Sequence, residues 1–213
     1  MIDSHNLKID FSNLNVSRET LIDLENYSKE IIKRNKRINL ISKSTEKTIK
    51  SRHILDSAQT LDFVDKKDIS VCTDLGSGAG LPGIVLSILI KSKKPMFRVI
   101  FFEKSYHKAN FLREMSNKFN LNTEIHQKNI FEEKNLITDV IICRAFKPLP
   151  IIFDIAITKF KKFKYIILFL GKSGQKILKE AEMIWKFDCE KKISLTNNES
   201  MIVKIKNLRK KNV

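Results

Sequence analysis

Residues 74–83 read Asp-Leu-Gly-Ser-Gly-Ala-Gly-Leu-Pro-Gly, and Glu103 stands twenty residues beyond Gly83. Glycines at this density let a chain turn sharply and let a ligand come against the main chain. The turn follows a β-branched run at 69–75 and opens an apolar segment carrying Ile84, Leu86, Ile88 and Leu89. Pro82 stands where that segment would begin a helix, a position that suits its fixed φ and missing N–H. A strand, a glycine-rich turn and a helix, with an acidic residue ending the next strand, together make a cofactor-binding signature.

Two cofactor classes fit this signature. Gly78, Gly80 and Gly83 satisfy the G-x-G-x-x-G of dinucleotide enzymes, and Glu103 lies at the expected distance. Other features favour S-adenosylmethionine. Asp74 stands two residues before Gly76, making D-x-G-x-G-x-G, and its carboxylate could orient the turn or reach an ammonium group through water. Glu103 could accept hydrogen bonds from both ribose hydroxyls, a point that fits either cofactor. A basic helical segment precedes the sheet, which suits a large anionic substrate better than a small metabolite. A purely structural role for the glycines is disfavoured by the backbone entropy they lose on folding.

Arg52, His53, Asp56 and Ser57 form a second group of chemically capable side chains. On a helix Arg52 and Asp56 are four apart and can pair. We read this segment as one that docks on the sheet or on substrate, not as a Ser/His nucleophile system. His107 and His126 lack metal-ligand spacing and are expected at the surface or in packing. Phe97, Phe101, Phe102, Phe111 and Phe119 fall at core spacings. Trp185 is expected in the core, on a helix face with Leu178 and Ala181.

The elements that must position these residues follow from periodicity. Residues 1–16 look irregular, and Ser17 can cap a helix carrying Leu21, Leu24, Tyr27, Ile31 and Ile32. That helix ends in a basic run of Lys33, Arg34, Lys36 and Arg37. A second helix is predicted after Ser44, through Ile54, Ala58 and Leu61. Strands are then predicted at 69–75, 97–102, 123–127, 139–143 and 164–170. Helices are predicted after the glycine turn, over Ala109 to Phe119, at 149–159 and at about 174–186. Two last strands, 188–195 and 201–206, have a short polar link and should pair antiparallel. The expected fold is therefore α/β, a doubly wound, mostly parallel seven-stranded sheet with a C-terminal antiparallel hairpin. Residues 1–66 form an N-terminal helical extension, and 67–213 the cofactor-binding domain. The tail from Arg209 to Lys211 is expected to fray or to add non-specific affinity for nucleic acid.

Composition narrows the partners. The 213 residues include 40 Lys+Arg against 24 Asp+Glu, a formal net charge of +16. Such a balance favours a polyanionic partner, although a lysine-rich codon bias would produce some of it. Cys72, Cys143 and Cys189 are odd in number and widely spaced, so no disulfide scaffold or zinc site is expected, and a reducing, cytoplasmic setting fits. No apolar run is long enough to span a bilayer, and the first residues lack a signal-peptide core.

The stretch 38–57 (INLISKSTEKTIKSRHILDS), followed by DLGSGAGLPGI at 74–84, closely resembles the RsmG (GidB) family, bacterial methyltransferases that modify N7 of a guanine in 16S rRNA. The resemblance runs on through Glu103, Lys108 and Phe111-Leu112-Arg113 to Arg144-Ala145, covering roughly residues 20–185. It implies a class I methyltransferase fold and S-adenosylmethionine as cofactor, with S-adenosylhomocysteine as product. Gly76 and Leu81 match turn residues that contact the cofactor, and Glu103 matches the acidic residue facing the ribose. Ile130 and Phe131 match the pair flanking the adenine, and Arg144 matches the arginine after the fourth strand. Asp74 and Gly78 belong to the same turn. Cys143, Phe131 and Ser173 depart from the family pattern.

Guanine N7 carries a free lone pair, so no general base is required and no catalytic side chain is assigned. Proximity and orientation can supply roughly 7–11 kcal/mol. The methylated base is cationic, which casts Arg144 as a holder of cofactor or phosphate. Arg34, Arg37, Arg52, His53 and Lys172 are the candidates for binding substrate, which is 16S rRNA or the small ribosomal subunit. A monomer with no stable protein partner is expected. Two other readings remain: an NAD(P)-dependent oxidoreductase on a Rossmann fold, and a non-catalytic RNA-binding assembly factor.

Overall fold

Ser17 starts the first helix, its hydroxyl accepting from the Thr20 N–H at 3.2 Å, which satisfies one of the unpaired donors of the first turn. Helix α1 (Arg18–Asn35) buries Leu24, Tyr27 and Ile31 along one face. The computed structural model of the chain describes Leu14 and residues 16–211. The irregular N-terminal stretch expected from the sequence lies almost wholly outside the described residues.

The single helix expected after Ser44 is instead a chain of tight turns. A 3₁₀ helix (Lys43–Thr48) leads into a π-helix (Lys50–Leu55), then α2 (Asp56–Ala58) and α3 (Leu61–Val64). Hydroxyl groups explain the break. Thr45, Thr48 and Ser51 each donate to a carbonyl three residues back, at 2.9, 3.3 and 3.1 Å, local bonds that compete with a regular helical ladder. Asn35 fixes the approach, accepting the amides of Leu40 and Ile41 on one oxygen.

The sheet comprises β1 (Val71–Leu75), β2 (Arg98–Phe102), β3 (Thr123–His126), β5 (Val140–Arg144), β7 (Tyr165–Leu170), β8 (Trp185–Ser194) and β9 (Asn197–Lys210). Their order is β3-β2-β1-β5-β7-β9-β8. The first five run parallel, while β9 is antiparallel to β7 and β8 is antiparallel to β9. The seven strands and the terminal hairpin agree with the sequence reading. The hairpin is longer than expected, because only Leu195 and Thr196 separate its strands. Trp185 begins β8 rather than ending a helix, and it is buried as expected. The tail does not fray through Lys210, which pairs with Trp185. A small parallel pair, β4 (Leu136–Ile137) and β6 (Phe160–Lys162), is too short to leave a periodic signal.

Strand alternation feeds two cores. Val140 and Ile142 of β5 face one side with Tyr165 and Ile167 of β7, while Ile141, Cys143, Ile166 and Leu168 face the other. The second core is closed by α6 (Leu149–Lys159) and α7 (Gly174–Ile184). The first is closed by α4 (Gly83–Ile90), α5 (Tyr106–Lys118) and the N-terminal segment. Every residue of α4 is buried, so α4 needs cover on the side away from the sheet as well. Leu24, Tyr27, Ile31 and Ile54 belong to its core. Tyr27 carries a further tie, its hydroxyl donating to the carbonyl of Ala79 inside the glycine turn.

Replacing Tyr27 with Phe keeps the ring and removes that donor, leaving a buried carbonyl unsatisfied. We expect a loss of about 1–3 kcal/mol in denaturant unfolding. Unchanged stability would mean that the bond contributes nothing net.

Candidate active site

The order of the strands reverses at β1, which has β2 on one side and β5 on the other. Open α/β sheets bind ligands at the carboxyl ends of strands around such a switch, and here that end carries the glycine turn. Gly76, Gly78 and Gly80 have φ of 65°, 55° and 83°, a region glycine enters without a Cβ penalty. Gly76 is constrained twice, since the Phe146 ring lies where its Cβ would project.

Two buried carboxylates shape the turn from below. Asp74 Oδ2 accepts the Gly83 N–H at 2.9 Å, joining the end of β1 to the start of α4. Burial pushes the Asp74 carboxyl up to about 7; the Gly83 amide opposes the rise and the charge of Glu103 adds to it. Of the two roles expected for Asp74, its contacts give the first, orienting the turn. Glu103 Oε2 accepts the Gly78 N–H and Oε1 accepts the Ser105 N–H, both at 2.8 Å. A carboxylate offers about four acceptor sites, so Glu103 can also take hydroxyl donors from the cleft it lines.

That cleft, about 210 Å³, brings together Gly76, Glu103, Ile130 and Phe131. Gly78 and Leu81 do not line it; Gly78 is bound to Glu103 and Leu81 is buried in the first core. Ile130 is buried and Phe131 is 42% exposed, so the pair offers one fixed and one accessible apolar surface. Phe102, Lys104, Asn129, Ala145 and Phe146 also line the cleft. The sequence reading stopped at Arg144-Ala145; the aromatic residue next in line was the available signal for Phe146.

Arg144 opens onto a neighbouring cavity of about 310 Å³, shared with Asp56, Phe169 and Ser194. Its guanidinium donates to the Arg52 carbonyl at 2.5 Å, pairs with Asp56 Oδ2 at 3.1 Å and lies 5.5 Å from the Phe169 ring centre. Its third polar partner is His53 Nδ1 at 3.3 Å. A guanidinium has no acceptor, so Nδ1 must carry the lone pair, and the assigned tautomer puts the proton on Nε2. Nε2 then donates to Thr45 Oγ1 at 2.8 Å. Burial lowers the His53 pKa to about 4, helped by the charges of Arg144 and Arg52. The Arg52–Asp56 pair expected from helical spacing is replaced by Arg144–Asp56, because the π-turn directs Asp56 toward β5. Ser57 is buried, and its hydroxyl has no hydrogen-bond partner among the described residues.

The remaining candidates are dispersed. Arg34 pairs with Glu114 and lies near the Phe111 ring. Lys172 pairs with Glu199 at 2.8 Å. Arg37 and the Arg52 side chain are exposed. His107 is exposed, and His126 stacks on Phe102 at 4.9 Å. Phe97, Phe101, Phe102, Phe111 and Phe119 are all in the core.

The doubly wound sheet, the antiparallel β9 and the cleft at the switch point define a Rossmann-like methyltransferase. Solved structures agree at the level of fold. An O-methyltransferase from Bacillus cereus in complex with SAH matches with TM-score 0.61 and 16% identity, covering 92% of this chain and 95% of that one. The 16S rRNA methylase RmtB matches with TM-score 0.53 and 11% identity, covering 90% and 75%. The family model described as rRNA small subunit methyltransferase G matches residues 20–205. Curated relatives carry the name ribosomal RNA small subunit methyltransferase G. The protein from Pelagibacter ubique (strain HTCC1062) is 48% identical over 94% of each chain. That from Rickettsia felis is 36% identical over 92% of this chain and 98% of its own. The chain belongs to the rRNA small subunit methyltransferase G family, and it is an enzyme.

A neutral His53 has a pH consequence. Its folded pKa, about 4, lies below the ordinary 6.5, so its contribution is intact above pH 6.5 and is lost as pH falls toward 4. The stability advantage of wild type over His53→Gln should shrink across that window. An advantage constant from pH 7 to 4 would show that His53 is not held neutral.

Proposed function

We propose that this enzyme transfers a methyl group from S-adenosylmethionine to N7 of a guanine in 16S rRNA. The observation that carries the reading is the Gly76–Glu103 cleft: a glycine turn against an acidic side chain, walled by Ile130 and Phe131. These residues suit the cofactor's parts. Glu103 would accept the ribose hydroxyls, Ile130 and Phe131 would flank the adenine, and the close-approach surface at Gly76 would take the amino-acid end. Asp74, Gly78 and Leu81 would hold the turn in shape behind them. The family relationship supports the same cofactor and substrate.

Held by Gly76, Glu103, Ile130 and Phe131, S-adenosylmethionine would supply an electrophilic methyl group to N7 and would keep the electron pair of the sulfur–carbon bond. No proton leaves the base, so this chain needs no general base. Its residues hold N7 in line, where orientation contributes roughly 7–11 kcal/mol.

We assign the exposed Arg37 and Arg52 to phosphate contacts, which position RNA without reading its sequence. Arg34 and Lys172 would have to exchange their carboxylate partners to join them. Arg144, with His53 beside it, holds the site at the end of β5. We assign residues 1–66 to an extension and 67–213 to the cofactor-binding domain; the described part of the extension, from Arg18 to Val64, packs on the domain and would present a basic face to RNA. The reading implies a monomer acting in the cytoplasm on rRNA or the small subunit. No helix among the described residues is long and apolar enough to cross a membrane.

Calorimetric titration with S-adenosylmethionine, NAD and NADP tests the cofactor, and radiolabelled methyl transfer to small-subunit RNA, with mapping of the modified base, tests the reaction. We expect binding of S-adenosylmethionine alone and one N7-methylated guanine. Gly76→Val, which demands a side chain at φ 65° against Phe146, should weaken binding at least about 100-fold, the loss of roughly two good contacts. Binding of a dinucleotide instead would restore the oxidoreductase reading.

A further inference from the structure

The proposed reaction needs a second site, for the base. We propose that the 310 Å³ cavity beside Arg144 is a guanine socket in which the Arg144–Asp56 pair reads the Watson–Crick edge of the target. This rests on the reading of the enzyme as a guanine-N7 methyltransferase.

Position comes first. Ala145 lines both this cavity and the cofactor cleft. Its φ of 51° turns the chain between them. A base seated here has one edge toward the cofactor and the other toward Asp56. An RNA base reaches such a pocket only when unstacked from its neighbours. Half-buried Phe169 and Met201 supply apolar surface for its ring.

The polar groups match one purine. Asp56 Oδ1 is held by three donors, Ser194 Oγ at 2.8 Å, Thr196 Oγ1 at 3.1 Å and Gln59 Nε2 at 3.3 Å. Its Oδ2 meets Arg144 at 3.1 Å and retains a lone pair for the cavity it lines. The Arg144 bonds to His53, the Arg52 carbonyl and Asp56 leave N–H donors on Nη1 and Nε. An acceptor beside donors is the complement of guanine, whose N1–H and N2–H₂ lie beside O6. Adenine would set its N1 lone pair against the carboxylate, a repulsive contact that discriminates as strongly as an attractive one. Cytosine and uracil have no N7.

Reading guanine by this edge leaves its N7 edge turned toward Ala145 and the cleft. It also resolves the charge problem. A lone guanidinium would oppose the positive charge that develops on the base, but paired with Asp56 it is neutral overall. The Asp56 carboxylate, accepting from both N1–H and the adjacent N2–H at Oδ2, stabilises that charge as it forms.

The test uses the whole enzyme and small-subunit RNA carrying guanine or inosine at the modified position. Inosine keeps N7, O6 and N1–H but lacks the N2 amino group. We expect kcat/KM to fall about 10- to 100-fold with inosine, with weaker equilibrium RNA binding in filter assays without cofactor. Asp56→Asn should lower transfer to guanine and bring the guanine-to-inosine ratio close to one, which a merely structural defect would not do. Should that variant fail to fold, Gly171→Trp addresses the socket separately, because a Cβ there meets no atom within 4 Å and Gly171 lines the cavity. It should bind S-adenosylmethionine normally and lose methyl transfer. Equal rates on guanine and inosine with wild type, or full activity of Gly171→Trp, would overturn the socket while leaving the methyltransferase reading intact. Absence of N7 methylation by wild type would instead strike the proposed function.

Discussion

Helix α4 has no face for water. All of its residues from Gly83 to Ile90 are buried, and a helix apolar all round is stable only when covered all round. The sheet covers one side, and α1 with the turns around Ile54 covers the other. Each buried Leu or Ile in this interface contributes roughly 1.5–3 kcal/mol relative to exposure. The same interface therefore fastens the N-terminal segment and fixes the start of α4, where the glycine turn must sit. Tyr27 grips that turn at Ala79 from the N-terminal side, and Asp74 grips it at Gly83 from the strand. The glycine turn is held between two elements that a linear reading treats as separate.

The site is built from buried charge under tight control. Asp74 and Glu103 lie close enough for the second to raise the pKa of the first, so backbone amides at Gly83, Gly78 and Ser105 are needed to hold them. Each such amide bond to a charged group is worth more than a neutral one, about 1.5–3 kcal/mol. Around Arg144 the arrangement is different. One guanidinium collects a carbonyl, an imidazole and a carboxylate from the π-turn segment, and the carboxylate is held in turn by hydroxyls from the β8–β9 hairpin. Segments 138 and 140 residues apart in the chain meet at this network. Outside these networks, the formal charge of +16 supplies a long-range field for a polyanion, with some of its lysines and arginines tied in surface ion pairs.

The seven strands of the main sheet, the helices α1, α4, α5, α6 and α7, the antiparallel hairpin and the glycine turn are all legible in the sequence. Those features come from local causes: unbroken apolar runs in β5 and β7, whose two faces are both buried, the Ser17 cap, and glycines that enter the positive φ of Gly76 and Gly78 without a Cβ penalty. Glu103 was legible because the second strand fixes its distance from the turn. Legibility failed where side chains compete with the backbone, as in the hydroxyl-rich stretch from Ser42 to Ser51, which breaks an expected helix into 3₁₀ and π turns. It failed again for the partner of Asp56. Helical spacing offered Arg52, four residues away, but the tertiary fold supplied Arg144 from the far end of β5. Phe146 over Gly76, and the joining of Asp56 to Ser194 and Thr196, were likewise decided only in three dimensions. Local periodicity records what a residue does within its own element, whereas these contacts depend on how elements distant in the chain are brought together by the burial of α4 and the closing of the sheet.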